Sequence, residues 1–81
     1  MEIGSILKKV GSNIKTLRKQ EKLTQEELAK LINVSKLTII NIEKGRNASF
    51  LTLVKILKYF DCDHILSEWE IDTDSEPISL L

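Results

Sequence analysis

A short stretch in the middle of the chain carries side chains that can bind the edges of base pairs. Lys36, Leu37, Ile40, Asn41 and Lys44 recur at spacings of three and four residues, which places them on one face of a helix. An asparagine amide can pair with adenine at N6 and N7, a lysine can donate to guanine, and apolar groups can contact a thymine methyl. No acid occurs among the five. The face therefore suits the major groove of DNA.

Two short helices joined by a tight turn are predicted to position this face. Thr24 with Glu27 three residues later is a capping-box sequence, which indicates a helix over about residues 25–31. Ser35 is a favoured N-cap residue and indicates a second helix over residues 36–43.

The opposite face of the second helix is predicted to enter the core. Ile39 and Ile42 lie three residues apart on that face. A helix this short is not stable alone, so its apolar side must be packed. Gly45 supplies a left-handed stop at its end.

Further helices are predicted on both sides of this pair. Apolar residues at helical spacing indicate one amphipathic helix over about residues 3–21, which Gly11 is expected to bend or split. Ser49 caps a fourth helix whose apolar positions continue to Phe60, and a short fifth helix follows over about residues 64–69. The predicted fold is all-α, a compact five-helix domain.

The charge is divided unequally along the 81 residues, although the net charge is zero. Residues 1–60 contain all twelve Lys and Arg and five of the twelve acids, a net charge of +7, whereas residues 61–81 carry −7. A basic segment of this size suits a polyanionic partner, and the acidic remainder must point away from it. We therefore predict a DNA-binding domain over residues 1–69 and an acidic tail over residues 70–81.

The residues needed for catalysis or metal binding are scarce. Cys62 and His64 are the single cysteine and the single histidine, too few for a structural zinc site or an internal disulfide. No glycine-rich phosphate loop occurs, and no paired carboxylates with an obvious pocket, so we expect neither an enzyme nor a cofactor. No apolar run is long enough for a membrane span, and a cytoplasmic protein is expected.

Several segments in order resemble the helix-turn-helix of Xre/Cro-type phage repressors. They are Leu23-Thr-Gln-Glu-Glu-Leu-Ala, Val34-Ser-Lys-Leu-Thr-Ile, Ile42-Glu-Lys-Gly and Thr52-Leu-Val-Lys-Ile-Leu, within a resemblance that runs from about residue 14 to residue 60. The resemblance implies a lambda-repressor-like fold and a sequence-specific DNA-binding transcriptional regulator. It also implies a homodimer that occupies a palindromic operator and represses transcription.

The helix over residues 36–43 is then the recognition helix, and its exposed face is expected to contact bases. Asn41 is the best candidate for pairing with adenine, and Lys36 for donating to guanine or to a phosphate. Leu37 and Ile40 are expected to contact thymine methyls. The family usually has a small polar residue where Ile40 stands. This departure favours a methyl contact over polar readout at Ile40. Packing against the second helix is the alternative role for Ile40, and packing is likewise the alternative for Leu37.

Four further residues are expected to contact DNA phosphates, and two to form an ion pair. The resemblance implies that Gln25 at the start of the second helix reaches a phosphate, although a solvated helix start is the alternative. The loop after the recognition helix supplies the remaining phosphate candidates, Lys44, Arg46 and Asn47. A solvated loop is the alternative for Lys44 and Arg46. In related repressors an arginine of the first helix pairs with the last glutamate of the recognition helix, which predicts a structural ion pair between Arg18 and Glu43.

The acidic end of the chain leaves more than one interpretation open. It carries four apolar residues suited to dimer or partner contacts, Trp69, Ile78, Leu80 and Leu81. They could mediate dimerisation or belong to an idle tail. They could also bind a partner protein, as in an antitoxin that binds both DNA and a toxin. A helix-turn-helix scaffold that never touches DNA is a further alternative, and it predicts binding indifferent to salt.

Overall fold

A computed structural model describes residues 2–67 and contains four helices followed by one helical turn. The helices are α1 (Ile3–Gln20), α2 (Gln25–Ile32), α3 (Lys36–Glu43) and α4 (Phe50–Tyr59), and the turn α5 spans His64–Ser67. No strand occurs in residues 2–67, so the all-α prediction is confirmed for them. The predicted fifth helix to residue 69 and the acidic tail extend outside the described residues and stay predictions. No helix of residues 2–67 is both long enough and apolar enough to cross a membrane.

Helices α2, α3 and α4 begin at the caps that the sequence predicts. The Thr24 hydroxyl accepts from the Glu27 N–H at 3.0 Å, and the Glu27 carboxylate accepts from the Thr24 N–H at 2.8 Å. Hydrogen bonds donated by Thr24 to the Glu27 carboxylate, chiefly that of its backbone N–H, lower the pKa of Glu27 because they favour the charged form. Ser35 and Ser49 cap α3 and α4 in the same way, each accepting a backbone N–H at 3.1 Å. The predicted capping box and both serine caps are confirmed.

All four helices end in the same hydrogen-bonded motif, with one residue in the left-handed region. These residues are Lys22 (φ 58°), Asn33 (φ 61°), Gly45 (φ 80°) and Asp61 (φ 60°). In each case the next residue donates its N–H to the carbonyl five positions back, at 2.7–3.1 Å, which defines a Schellman motif. The stop predicted at Gly45 is confirmed.

The core lies where α3 packs against α1 and α2, with α4 packed on α2. Ile39 and Ile42 are buried on the inner face of α3, as the spacing predicts. Five further buried apolar residues complete the core: Ile14, Leu28, Ala29, Ile32 and Ile56.

Gly11 does not split the first helix, because α1 runs unbroken from Ile3 to Gln20. A Cβ atom at Gly11 would overlap the Ile42 carbonyl oxygen and lie 3.0 Å from the Glu43 carbonyl oxygen. The expectation of a split is therefore wrong. The glycine instead lets the end of α3 approach the backbone of α1.

Candidate nucleic-acid interface

The outer face of α3 brings together the four residues predicted to bind base edges and Lys44, a predicted phosphate ligand. Lys36 and Leu37 are exposed, and Leu37 retains 62% of its surface although it is apolar. Asn41 and Ile40 are half-buried, and Lys44 is exposed at the end of the helix. Because the inner face is occupied by buried isoleucines, these five side chains form the accessible side of α3, which we call the recognition face.

Ile40 lies between the two roles that the sequence allows. It is neither buried with the core residues nor fully exposed. Part of the side chain is therefore packed while part of it can be reached from outside. A methyl contact with thymine remains a prediction, as do all the base contacts.

A cluster of polar side chains holds the end of α3 against the two preceding helices. Arg18 of α1 donates to Glu43 through Nε at 2.7 Å and through Nη2 at 3.0 Å. Gln25 of α2 donates to the same carboxylate at 3.1 Å. The Nη1 of Arg18 donates to the Leu23 carbonyl at 2.7 Å. One carboxylate thus joins α1, α2 and α3.

This cluster also neutralises the charge of the one acid on α3. The Arg18 and Glu43 side chains are only 8% and 3% exposed. The hydrogen bond that Arg18 donates to Glu43 raises the pKa of Arg18, outweighing the opposite effect of burial, so the guanidinium stays charged. No buried side-chain polar atom in the described part of the chain lacks a hydrogen-bond partner. The carboxylate therefore presents little unpaired negative charge to an approaching phosphate.

Gln25 makes a contact that sequence reasoning did not predict. One N–H of its amide is directed at Glu43. A primary amide has two N–H donors, so the second is available to a phosphate. The link to Glu43 could not be derived from the sequence, because it depends on how α2 and α3 cross. The phosphate contact of Gln25 stays a prediction.

The loop after α3 places the other predicted phosphate ligands at the surface beside the recognition face. Lys44, Arg46 and Asn47 are all exposed. Arg46 makes another contact that the sequence did not predict: its Nη1 donates to the Asn41 Oδ1 at 2.9 Å. The structure therefore joins a predicted phosphate ligand directly to the predicted base-binding amide.

Residues 2–67 contain no group of three or more His, Cys, Asp or Glu side chains placed to hold a metal ion. The four residues predicted to make dimer or partner contacts lie outside the described part of the chain: Trp69, Ile78, Leu80 and Leu81.

Comparison with known proteins places this geometry in a family. Residues 14–70 match the model of the helix-turn-helix family. A protein of Methanothermobacter thermautotrophicus named "Uncharacterized HTH-type transcriptional regulator" is 40% identical over 62 residues, which are 75% of this chain and 90% of that protein. A protein of Methanocaldococcus jannaschii with the same description is 48% identical over 50 residues, which are 60% of this chain and 76% of that protein.

Proposed function

The chain belongs to the Xre/Cro-like helix-turn-helix family, and we propose that it binds a specific DNA site as a homodimer and represses transcription there. Family membership implies DNA-binding regulation. Repression, the dimer and the identity of the contacting residues are our proposals. In this proposal α3 enters the major groove, which has the width to admit an α-helix.

The observation that carries the proposal is the chemistry of the recognition face. It combines two exposed cations, one amide and two accessible apolar side chains. The one carboxylate on α3, that of Glu43, is paired with Arg18 and Gln25. A surface without unpaired negative charge can approach the phosphates that flank the groove, and its mixture of donors and apolar groups matches the groove floor.

Selection of binding sites from random duplex DNA at one fixed salt concentration tests this proposal. The wild type should enrich a two-fold site whose halves are about one helical turn, ~34 Å, apart. Asn41→Ala should abolish discrimination at one base position per half-site. Asn47→Ala removes the same amide from the adjoining loop and is the matched control, which should weaken all sequences equally. No enriched sequence for the wild type would contradict the proposal.

Association into a dimer is supported by apolar surface on the described part of the chain. An apolar groove runs between α1 and α4, and its lining includes Val10, Leu17, Leu53, Leu57 and Ile65. A domain this small gains stability by covering such surface, and we propose a second copy as the occupant. A two-fold site in DNA also requires two copies.

Sedimentation of the full chain and of a variant that lacks residues 71–81 tests the dimer. The full chain should sediment as a dimer. Loss of the dimer on truncation would assign dimerisation to the acidic segment, and its retention would assign it to residues 1–70. A full chain that stays monomeric at concentrations where it binds its site would contradict this part of the proposal. Loss of a stoichiometric co-purifying protein on truncation would instead favour the antitoxin alternative.

A further inference from the structure

Arg46 and Asn41 are joined by two hydrogen bonds across the end of α3. The Arg46 N–H donates to the Asn41 carbonyl oxygen at 2.9 Å, and the Arg46 Nη1 donates to the Asn41 Oδ1 at 2.9 Å. The first bond belongs to the Schellman motif that Gly45 allows with its φ of 80°. The backbone therefore brings the guanidinium back over the last turn of the recognition helix.

The second of these bonds determines which way the Asn41 amide faces. A guanidinium has donors only, so the amide oxygen must point toward Arg46 and the NH₂ group away from it. Recognition of adenine needs one such orientation, because the oxygen accepts from N6 while the nitrogen donates to N7. The oxygen has a second lone pair and can accept from a base while Arg46 remains bound.

We infer that Arg46 is a positioning residue for sequence recognition, which holds the Asn41 amide in one orientation. The inference rests on the proposed DNA-binding function and deepens it. It differs from a phosphate role, because phosphate contacts carry no sequence information. Four of the five guanidinium N–H groups remain for a phosphate, so Arg46 can perform both roles. Only the positioning role makes base discrimination depend on Arg46.

A double-mutant cycle separates the two roles. The affinities of wild type, Arg46→Ala, Asn41→Ala and the double variant are measured for the selected site and for a site altered at the base pair assigned to Asn41. We expect roughly 10- to 100-fold discrimination by the wild type, and little by Asn41→Ala. Arg46→Ala should lose at least several-fold of this discrimination, but it should lose none further in the Asn41→Ala background.

Lys44→Ala provides the matched control, since it removes an exposed cation two residues from Arg46. It should weaken binding to both sites equally. The same equal weakening by Arg46→Ala, with discrimination unchanged or increased, would overturn the inference and leave the proposed function standing. If Asn41→Ala kept full discrimination at every position, the proposed base contact and this inference would both be wrong.

A measurement without DNA tests the contact itself. In ¹⁵N-edited NMR spectra, Arg46→Ala should shift or broaden the side-chain amide resonances of Asn41, whereas Lys44→Ala should leave them in place. Thermal melting of each variant checks that it remains folded. Unchanged Asn41 resonances in folded Arg46→Ala protein would overturn the inference independently of any DNA result.

Discussion

Replacing Gly11 with alanine should destabilise the protein, although alanine is the better helix former. In an exposed helix interior the exchange stabilises by about 1 kcal/mol. Here the new methyl group would overlap the carbonyl oxygen of Ile42 and lie 3.0 Å from that of Glu43. Both obstacles are backbone atoms, so relief requires α3 to move rather than a side chain to rotate. Overpacking of this kind costs up to about 3 kcal/mol, which leaves a net loss of up to about 2 kcal/mol.

The assay is thermal unfolding followed by circular dichroism. A net loss of about 2 kcal/mol would lower the melting temperature by roughly 8–16 °C in a domain of 60–100 residues. Gly4→Ala is the matched control within the same helix, because nothing lies within 4 Å of the added methyl. It should be neutral or stabilising by up to about 1 kcal/mol. A Gly11→Ala variant that melts at or above the wild type would refute the close approach of α1 and α3.

Three further predictions concern stability. Arg18→Met should lower the free energy of unfolding by about 3–5 kcal/mol in urea, because the buried carboxylate loses its partner, and adding Glu43→Leu should restore much of the loss. Lys22→Gly should raise the melting temperature, because a left-handed backbone conformation costs a non-glycine residue about 1 kcal/mol. Lys19→Gly, within α1, should lower the melting temperature. The pKa of Glu27 is lower in the folded protein than its value of about 4.5 in the unfolded chain, so the ionised carboxylate stabilises the fold above about pH 4.5. This stabilisation is lost as the pH falls through the folded-state pKa. When the pH is lowered below about 4.5, the free energy of unfolding should therefore fall less for Glu27→Gln than for the wild type. Urea unfolding at a series of pH values measures this difference.

The local features of the fold could be predicted because their causes are adjacent in the chain. Thr24 and Glu27 lie within one helical turn, so the capping box follows from residue types alone. Ser35 and Ser49 act in the same way, and Gly45 is the residue that tolerates a positive φ best. The two isoleucines on the inner face of α3 follow from helical spacing.

The remaining features depend on how separate segments meet. The left-handed residue Lys22 carries no signal comparable to that of glycine, because a lysine side chain does not favour that backbone region, and Asp61 carries only a weak one, since aspartate adopts it occasionally. Helical spacing predicts a shared apolar face that includes Ile3 and Ile6, but both are exposed. Periodicity identifies the residues that share a face, not how far the neighbouring helices extend along it.

The candidate interface was predictable in its composition but not in its internal contacts. Residue types and spacing identify the recognition face, and the resemblance pairs Arg18 with Glu43. The hydrogen bonds from Gln25 to Glu43 and from Arg46 to Asn41 require the crossing of α2 with α3 and the return of the loop. Each of these two contacts joins a predicted phosphate ligand to another residue of the candidate interface. Gln25 and Arg46 therefore have a contact within the protein in addition to their predicted phosphate contacts.

The most direct test of DNA recognition measures affinity at several salt concentrations, for the selected site and for a duplex with a scrambled sequence. Lys44 and Arg46 in each of two protomers would neutralise about four phosphates, so log K should fall against log salt with a slope of roughly −4 or steeper. The selected site should bind at least about 10³-fold more tightly than the scrambled one. A slope near zero, or equal affinity for both duplexes, would contradict sequence-specific binding through this face.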